Sequence, residues 1–274
     1  MAQRGVTLGA SAVGVAVLAS LLGACGVVTT QKYVDDAKVD GPVRAIRIAT
    51  GAGSVRVRAG AVTTVRRTVS YLDSRPGVTH HVEGDVLVLQ DCAQRNCWVD
   101  YEVVAPEGVT VSGAVDSGSV DVEGASTVNV RADSGEVAVH RASGAVNVVA
   151  DSGRVDLVDV GGRVAVQAGS GDISAKNVGD ATLRAESGSV DAAVNGSVDV
   201  NAQSGDVTLR LAKVAAITAV TDNGSVDVVV PRGRYRVDAH AGSGTVDNAI
   251  GDDHDADTRL DLRADSGDVS VRFG

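Results

Sequence analysis

Aromatic side chains are nearly missing from this chain: one Trp, one Phe and four Tyr make up 2% of its 274 residues. Such side chains supply much of the buried area of an ordinary core, so a conventional globular interior of this size is not expected. Positive charge is also short, with 25 Lys and Arg against 35 Asp and Glu and a formal net charge of −10. Phosphate binding needs clustered Lys and Arg, which argues against nucleic acid as a partner. Cysteine is limited to Cys25, Cys92 and Cys97. Glycine, at 33 residues, and Val and Ala fill the chain instead, within a hydrophobic share of 44%. Val is β-branched and suits pleated surfaces.

Residues 1–24 read as a lipoprotein signal peptide. Arg4 supplies a short positive start, and the stretch from Val6 to Leu22 is apolar and uncharged. It ends in Leu22-Gly23-Ala24-Cys25, which resembles the bacterial lipobox, whose cysteine is diacylated before cleavage. A plain secretory signal and an uncleaved membrane helix are the competing readings. Two acyl chains hold a protein stably where one is marginal, so Cys25 is the expected lipidation site on the outer face of a cell membrane. Residues 25–42 show no sustained period and end in Gly41-Pro42, the pattern of a tether. With Cys25 lipidated, Cys92 and Cys97 remain as an even pair, and an exported compartment permits a disulfide. Their flanks alternate like strands, so a hairpin stapled at its tip is expected, with too few nearby ligands for a metal site.

The organising feature is a repeated phrase, first whole as Asp116-Ser117-Gly118-Ser119-Val120-Asp121-Val122. Its glycine returns at Gly135, Gly153, Gly171, Gly188, Gly205, Gly224, Gly244 and Gly267, at intervals of 17, 18, 18, 17, 17, 19, 20 and 23 residues. A fixed period in this range marks a repeat architecture. Val or Ile follows each glycine by two residues, and Val, Ala, Ile or Leu precedes it by seven, with polar residues between. That is period-two patterning on two strands, one on each side of a turn. A two-stranded unit cannot bury its apolar face alone, whereas stacked copies bury a continuous Val/Ala core. The expectation is an all-β parallel β-solenoid of about nine rungs over 112–274, with Val269–Gly274 as its open last rung. Residues 43–111 lack the period and read as a partly antiparallel N-terminal β cap. In the turn, Gly permits positive φ, and Asp and Ser can bond amides two residues on.

The same phrase invites catalytic readings, and its own columns argue against them. Aspartic proteases need two distant Asp-Ser-Gly copies that bring two carboxylates together. Here the Asp column also holds Gly169, Glu186, Gln203 and Gly242, which is how a turn position behaves. The histidines show no spacing that suits a Ser-His-Asp triad. Asp116, Asp133 and Asp151 should stack on consecutive rungs, where like charges repel by about 1 kcal/mol per pair. Calcium is a weak candidate there, with Arg131 and Arg154 as the alternative neutralisers; the acidic stretch 251–257 is a second. No cofactor is expected. Glycan-cleaving enzymes offer aromatic platforms and a carboxylate pair, whereas the repeats carry only Tyr235 and Phe273.

Over residues 43–274 the chain resembles a bacterial family of β-strand-repeat domains of unknown function, known as adhesin candidates. The likeness rests on Ile46-Arg47-Ile48 with Gly53-Ser54-Val55-Arg56-Val57, on Tyr101-Glu102-Val103-Val104-Ala105-Pro106-Glu107-Gly108-Val109, and on the Ser-Gly-x-Val ladder. The resemblance implies a β-solenoid and no established catalysis. The expected function is a non-catalytic, membrane-anchored binding or scaffolding surface for an envelope or host-surface protein or glycan. An accessory or sensor subunit of a membrane partner, and a carbohydrate-active enzyme, are the alternatives.

Overall fold

The computed structural model describes residues 29–274. The signal segment and Cys25 lie outside the described residues. Ahead of the repeats come β1 (Gln31–Lys38), β2 (Ala45–Ala52), β3 (Val55–Ala59), β4 (Thr64–Tyr71), β5 (His80–Glu83), β6 (Val86–Gln90) and β7 (Cys97–Ala105). The repeats begin with β8 (Thr110–Ser117), β9 (Val120–Glu123), β10 (Thr127–Ser134), β11 (Val137–Ala142), β12 (Val146–Ser152) and β13 (Val155–Val160). They continue through β14 (Val164–Ser170), β15 (Ile173–Val178), β16 (Ala181–Ser187), β17 (Val190–Val194), β18 (Val198–Ser204) and β19 (Val207–Leu211). The last six are β20 (Ile217–Asn223), β21 (Val226–Val230), β22 (Arg236–Ser243), β23 (Val246–Asn248), β24 (Arg259–Ser266) and β25 (Val269–Phe273). Odd-numbered strands and β4 form a 13-stranded sheet that excludes β5, and the remaining strands with β5 form a 12-stranded one.

The expected parallel solenoid is what forms. Val128 lies level with Val146, Val146 with Val164, and Val164 with Ala181, so identical columns face inward on successive rungs. Val120, Val137, Val155, Ile173, Val190 and Val207 line the opposite sheet and are buried. A one-residue slip would turn every one of these side chains outward, so burial itself sets the register.

The Ser-Gly corners show why glycine recurs. Gly135 has φ +126°, and its N–H donates to the Ser152 carbonyl at 3.0 Å. A Cβ placed on it would lie 2.1 Å from the carbonyl oxygen of Gly118 on the neighbouring rung. The turn's side-chain bonds run between rungs rather than locally, contrary to expectation. Asp172, one residue after its glycine, accepts from the Ser189 N–H at 3.0 Å, and Asp206 does the same for Ser225 at 2.9 Å.

Four departures from the sequence reading matter for function. First, the supposed tether contains β1, which pairs antiparallel with β4 and sets Asp35 and Asp36 opposite Arg67 and Arg66. Second, β2 and β3 are a solenoid rung, with Gly53 (φ +114°) at its corner; β2 pairs parallel with β8, and β3 with β9. Rungs with a glycine corner therefore number ten; β4–β7 is an insertion after the first, and within it β6 and β7 pair parallel with β2 and β3 as a further rung. Third, Cys92 and Cys97 do form a disulfide, with Cα atoms 5.9 Å apart, but not at a hairpin tip. β6 and β7 belong to different sheets, so the bridge staples the corner between them.

Fourth, the last two rungs are stacked out of chain order. β24 lies between β20 and β22, and β25 between β21 and β23, so the open end is β22/β23 rather than Val269–Gly274. Packing explains the inversion. The inserted rung points Leu260, Leu262, Ala264, Val269 and Val271 inward, all fully or almost fully buried. The terminal rung offers Val237, Ala239, Ala241, Val246 and, level with Val271, the polar Asn248. Exchanging Val237 for Leu260 and Ala239 for Leu262 buries four more side-chain carbons, each worth up to about 0.8 kcal/mol. It also leaves Asn248 at the solvent end, where its Oδ1 accepts from the N–H groups of Ile250 and Gly251.

Candidate functional site

The regular rungs spend their polar groups on each other, so function is best sought where the pattern breaks. The acidic column comes first. Asp116, Asp133 and Asp151 do stack, and Arg131 lies between rungs, with Nε 3.1 Å from Asp133 and Nη2 2.7 Å from Asp151. A guanidinium thus takes the neutralising place considered for calcium. Among the described residues no group of three or more His, Cys, Asp or Glu could hold a metal ion.

The β4–β7 insertion builds the densest polar network. Arg67 is 3% exposed, and its Nε and Nη2 donate to Asp35 on β1 at 2.7 and 2.5 Å. Its Nη1 donates to the Gly77 carbonyl and to Thr79 Oγ1, each at 3.0 Å. Tyr101 Oη lies 2.7 Å from the carbonyl oxygens of both Thr79 and Gln90. Burial pushes that phenol up to about 12, so it stays protonated. Hydrogen bonding from Arg67 holds the Asp35 carboxyl below the usual range. Burial, with Arg67 nearby, likewise lowers His80.

This network clamps β1 and the loop after β4 together. Arg66 makes two bonds to Asp36, at 2.7 and 3.3 Å. Tyr33 donates to the Pro76 carbonyl at 2.9 Å, packs edge-on to Tyr71, and carries Arg75 4.1 Å above its ring. Beside the disulfide, residues from Arg75 to Thr79 and from Gln90 to Gln94 enclose a cleft of about 450 Å³. At its edge Asp91 accepts from the Gly51 N–H, and its Oδ1 is buried without a partner.

The distal end is the other irregularity. The 251–257 stretch, singled out for its charge, closes onto the strap between β21 and β22. Asp253 binds Arg234 at 2.6 and 3.1 Å, Asp252 accepts from the Val237 N–H at 2.9 Å, and the Asp253 N–H donates to the Tyr235 carbonyl. Among the described residues no serine hydroxyl is bonded to a histidine, and His81 and His254 pair with Glu83 and Asp252. Sequence reasoning missed β1 and the Arg67–Asp35 pair because charge opposition across strands has no local period.

No curated protein matches the chain. Among solved structures, an adhesin candidate from Parabacteroides distasonis is 13% identical with TM-score 0.46, covering 88% of this chain and 97% of that one. One from Bacteroides fragilis is 13% identical with TM-score 0.41, covering 90% and 99%. A candidate cell-adhesion protein from Clostridium sporogenes is 11% identical with TM-score 0.25, covering 90% and 100%. Scores this low carry no functional inference. The family model is the informative match: it spans residues 43–272, from the first rung through the insertion to the last strand, and the chain belongs to the Toastrack DUF4097 family, whose function is unknown.

Proposed function

We propose that this protein is a lipid-anchored envelope protein whose solenoid stands off the membrane as a non-catalytic binding or scaffolding surface. One observation carries the reading. β1 begins at Gln31, six residues after Cys25, and is clamped at one end of the 13-stranded sheet, while the open rung β22/β23 lies at the other. The five intervening residues reach at most about 18 Å, so the β4–β7 insertion would sit at the lipid surface. Twelve strand spacings of about 4.8 Å would place the open rung roughly 60 Å further out. A ligand protein or glycan would then meet the rungs and the distal end first.

The cleft beside Cys92–Cys97 lies at the tethered end, where a membrane protein could reach it, and this favours the accessory-subunit reading as the second. Photo-crosslinkers at Thr245 and at Gln94 in cells separate the two. Capture from Thr245 supports the distal surface. One dominant membrane protein captured only from Gln94 would replace it with the accessory role. Envelope-glycan turnover abolished by a single carboxylate substitution would overturn the non-catalytic reading.

A further inference from the structure

The inverted rung order creates a slot, between β20/β21 and β22/β23, that the Arg259–Phe273 segment fills. Register pairs and four side-chain contacts seat that segment in the slot. Leu260 lies level with Ile217 on one side and Val237 on the other, and Ser266 with Asn223 and Ser243. Arg259 Nη2 reaches Asp238 at 3.1 Å, and Arg272 Nη1 reaches Asp227 at 2.6 Å. Asp268 accepts from the Thr245 N–H at 2.8 Å, and Ser270 donates to Asp227 at 3.1 Å.

The far wall of the slot, β22/β23, pairs only with the inserted rung and is otherwise tied to β21 by its own chain connection. The Pro231–Tyr235 strap spans two rung levels with five residues, as many as residues 212–216 use to climb one. A single connection, residues 249–258, ties the inserted rung to the preceding ones. Extended, its ten residues reach about 33 Å, far beyond the roughly 5 Å step it makes here. What keeps it folded back is the latch of Asp252 on Val237, Asp253 on Arg234, and the His254 carbonyl on Arg236.

The geometry points to this slot as an exchange site for a second copy of the chain: the Arg259–Phe273 rung of one molecule fills the slot of another, and the acidic loop is the latch that restrains the exchange. The occupant is a second copy because the slot's charged and hydroxyl partners match this segment residue by residue. The exchange is reciprocal, so each copy recovers every rung-to-rung bond that it surrenders, and it costs only the latch and the entropy of association.

Thr218 and Asp261 are register partners on adjacent strands, both on the outer face. Full-length Thr218→Cys and Asp261→Cys copies are mixed, held in mild urea, returned to buffer and oxidised. Any 218–261 disulfide joins two molecules and is read by mass spectrometry of the linked peptide. The expected result is that linkage, in excess of a random mixture of homodimers and heterodimers. Adding Arg234→Ala to both copies should raise its rate roughly two- to fivefold, the scale of an exposed ion pair. A chain carrying both cysteines, closed on itself beforehand, should not exchange and shows that each substitution folds. Random linkage only, or a rate indifferent to Arg234, overturns the proposal.

Discussion

The glycine ladder makes the sharpest quantitative claim, and two substitutions separate its components. Gly171 has φ +139°, and an added Cβ would meet the Gly153 carbonyl oxygen at 2.1 Å. Gly84 also has positive φ, +65°, but a Cβ there meets nothing within 4 Å. Gly84→Ala therefore reports backbone strain alone, about 1 kcal/mol for a non-glycine residue in the left-handed region. Gly171→Ala adds a clash with backbone, which cannot rotate away as a side chain could. Relieving it means parting two rungs and weakening the bonds of Gly153 to Ser170 and of Val155 to Asp172, 2.8 and 3.0 Å in the intact ladder. With strain of 1–3 kcal/mol and about 1 kcal/mol for each weakened bond, the total is roughly 3–5 kcal/mol. Thermal unfolding followed by circular dichroism should show Gly171→Ala lower in Tm by about 6–20 °C and Gly84→Ala by about 2–4 °C. Equal shifts would refute the view that the corner glycine is required by its neighbour on the next rung.

Other consequences follow from the insertion. Asp35→Asn should release β1 first, because it leaves the buried Arg67 without its carboxylate; hydrogen exchange should rise across residues 31–38 while the rungs stay protected. Low pH should loosen the same region in two stages. His80 has a lowered folded value, so the stability gained by keeping it neutral is full above about 6.5 and declines as pH falls below it. The Asp35 contribution is present above about 3.9 and is lost as pH falls through its lowered folded value. His80→Gln should abolish the first stage only, although Arg67, His81 and Asp35 still face the position; exchange of β1 and β5 amides against pH tests this. Replacing Cys92 and Cys97 with Ser should cost about 2 kcal/mol, as expected for so short a loop, with β6 loosening from β2. A loss confined to the distal rungs would contradict the assigned place of the bridge.

Much of the solenoid was legible because its signals are local and periodic. Val two residues after Gly and an aliphatic residue seven before it place both strands of a rung directly. The first rung was legible in principle, since Gly53-Ser54-Val55-Arg56-Val57 carries the same phrase, but its successor lies beyond a long insertion that hides the period. Rung order was harder. The clue is Asn248 in a column otherwise filled by Val, Leu or Ala, beside the leucine-rich Leu260–Leu262 segment. A polar inward residue belongs at an end, and that argument needs the columns aligned first. The Arg67–Asp35 clamp leaves no such trace, because its partners stand 32 residues apart in the chain and meet only through antiparallel register.

The proposed outward orientation of the rod depends on its anchor, and Cys25 is the residue to test. Expressed from its full sequence in a bacterial host, the protein should fractionate with membranes and resist extraction by salt. The Cys25→Ala form should appear in the soluble extracytoplasmic fraction with an unchanged circular dichroism spectrum, since Cys25 precedes every strand described. Retention of Cys25→Ala in the membrane fraction would contradict lipid anchoring at that residue and, with it, the placing of β22/β23 as the outward end.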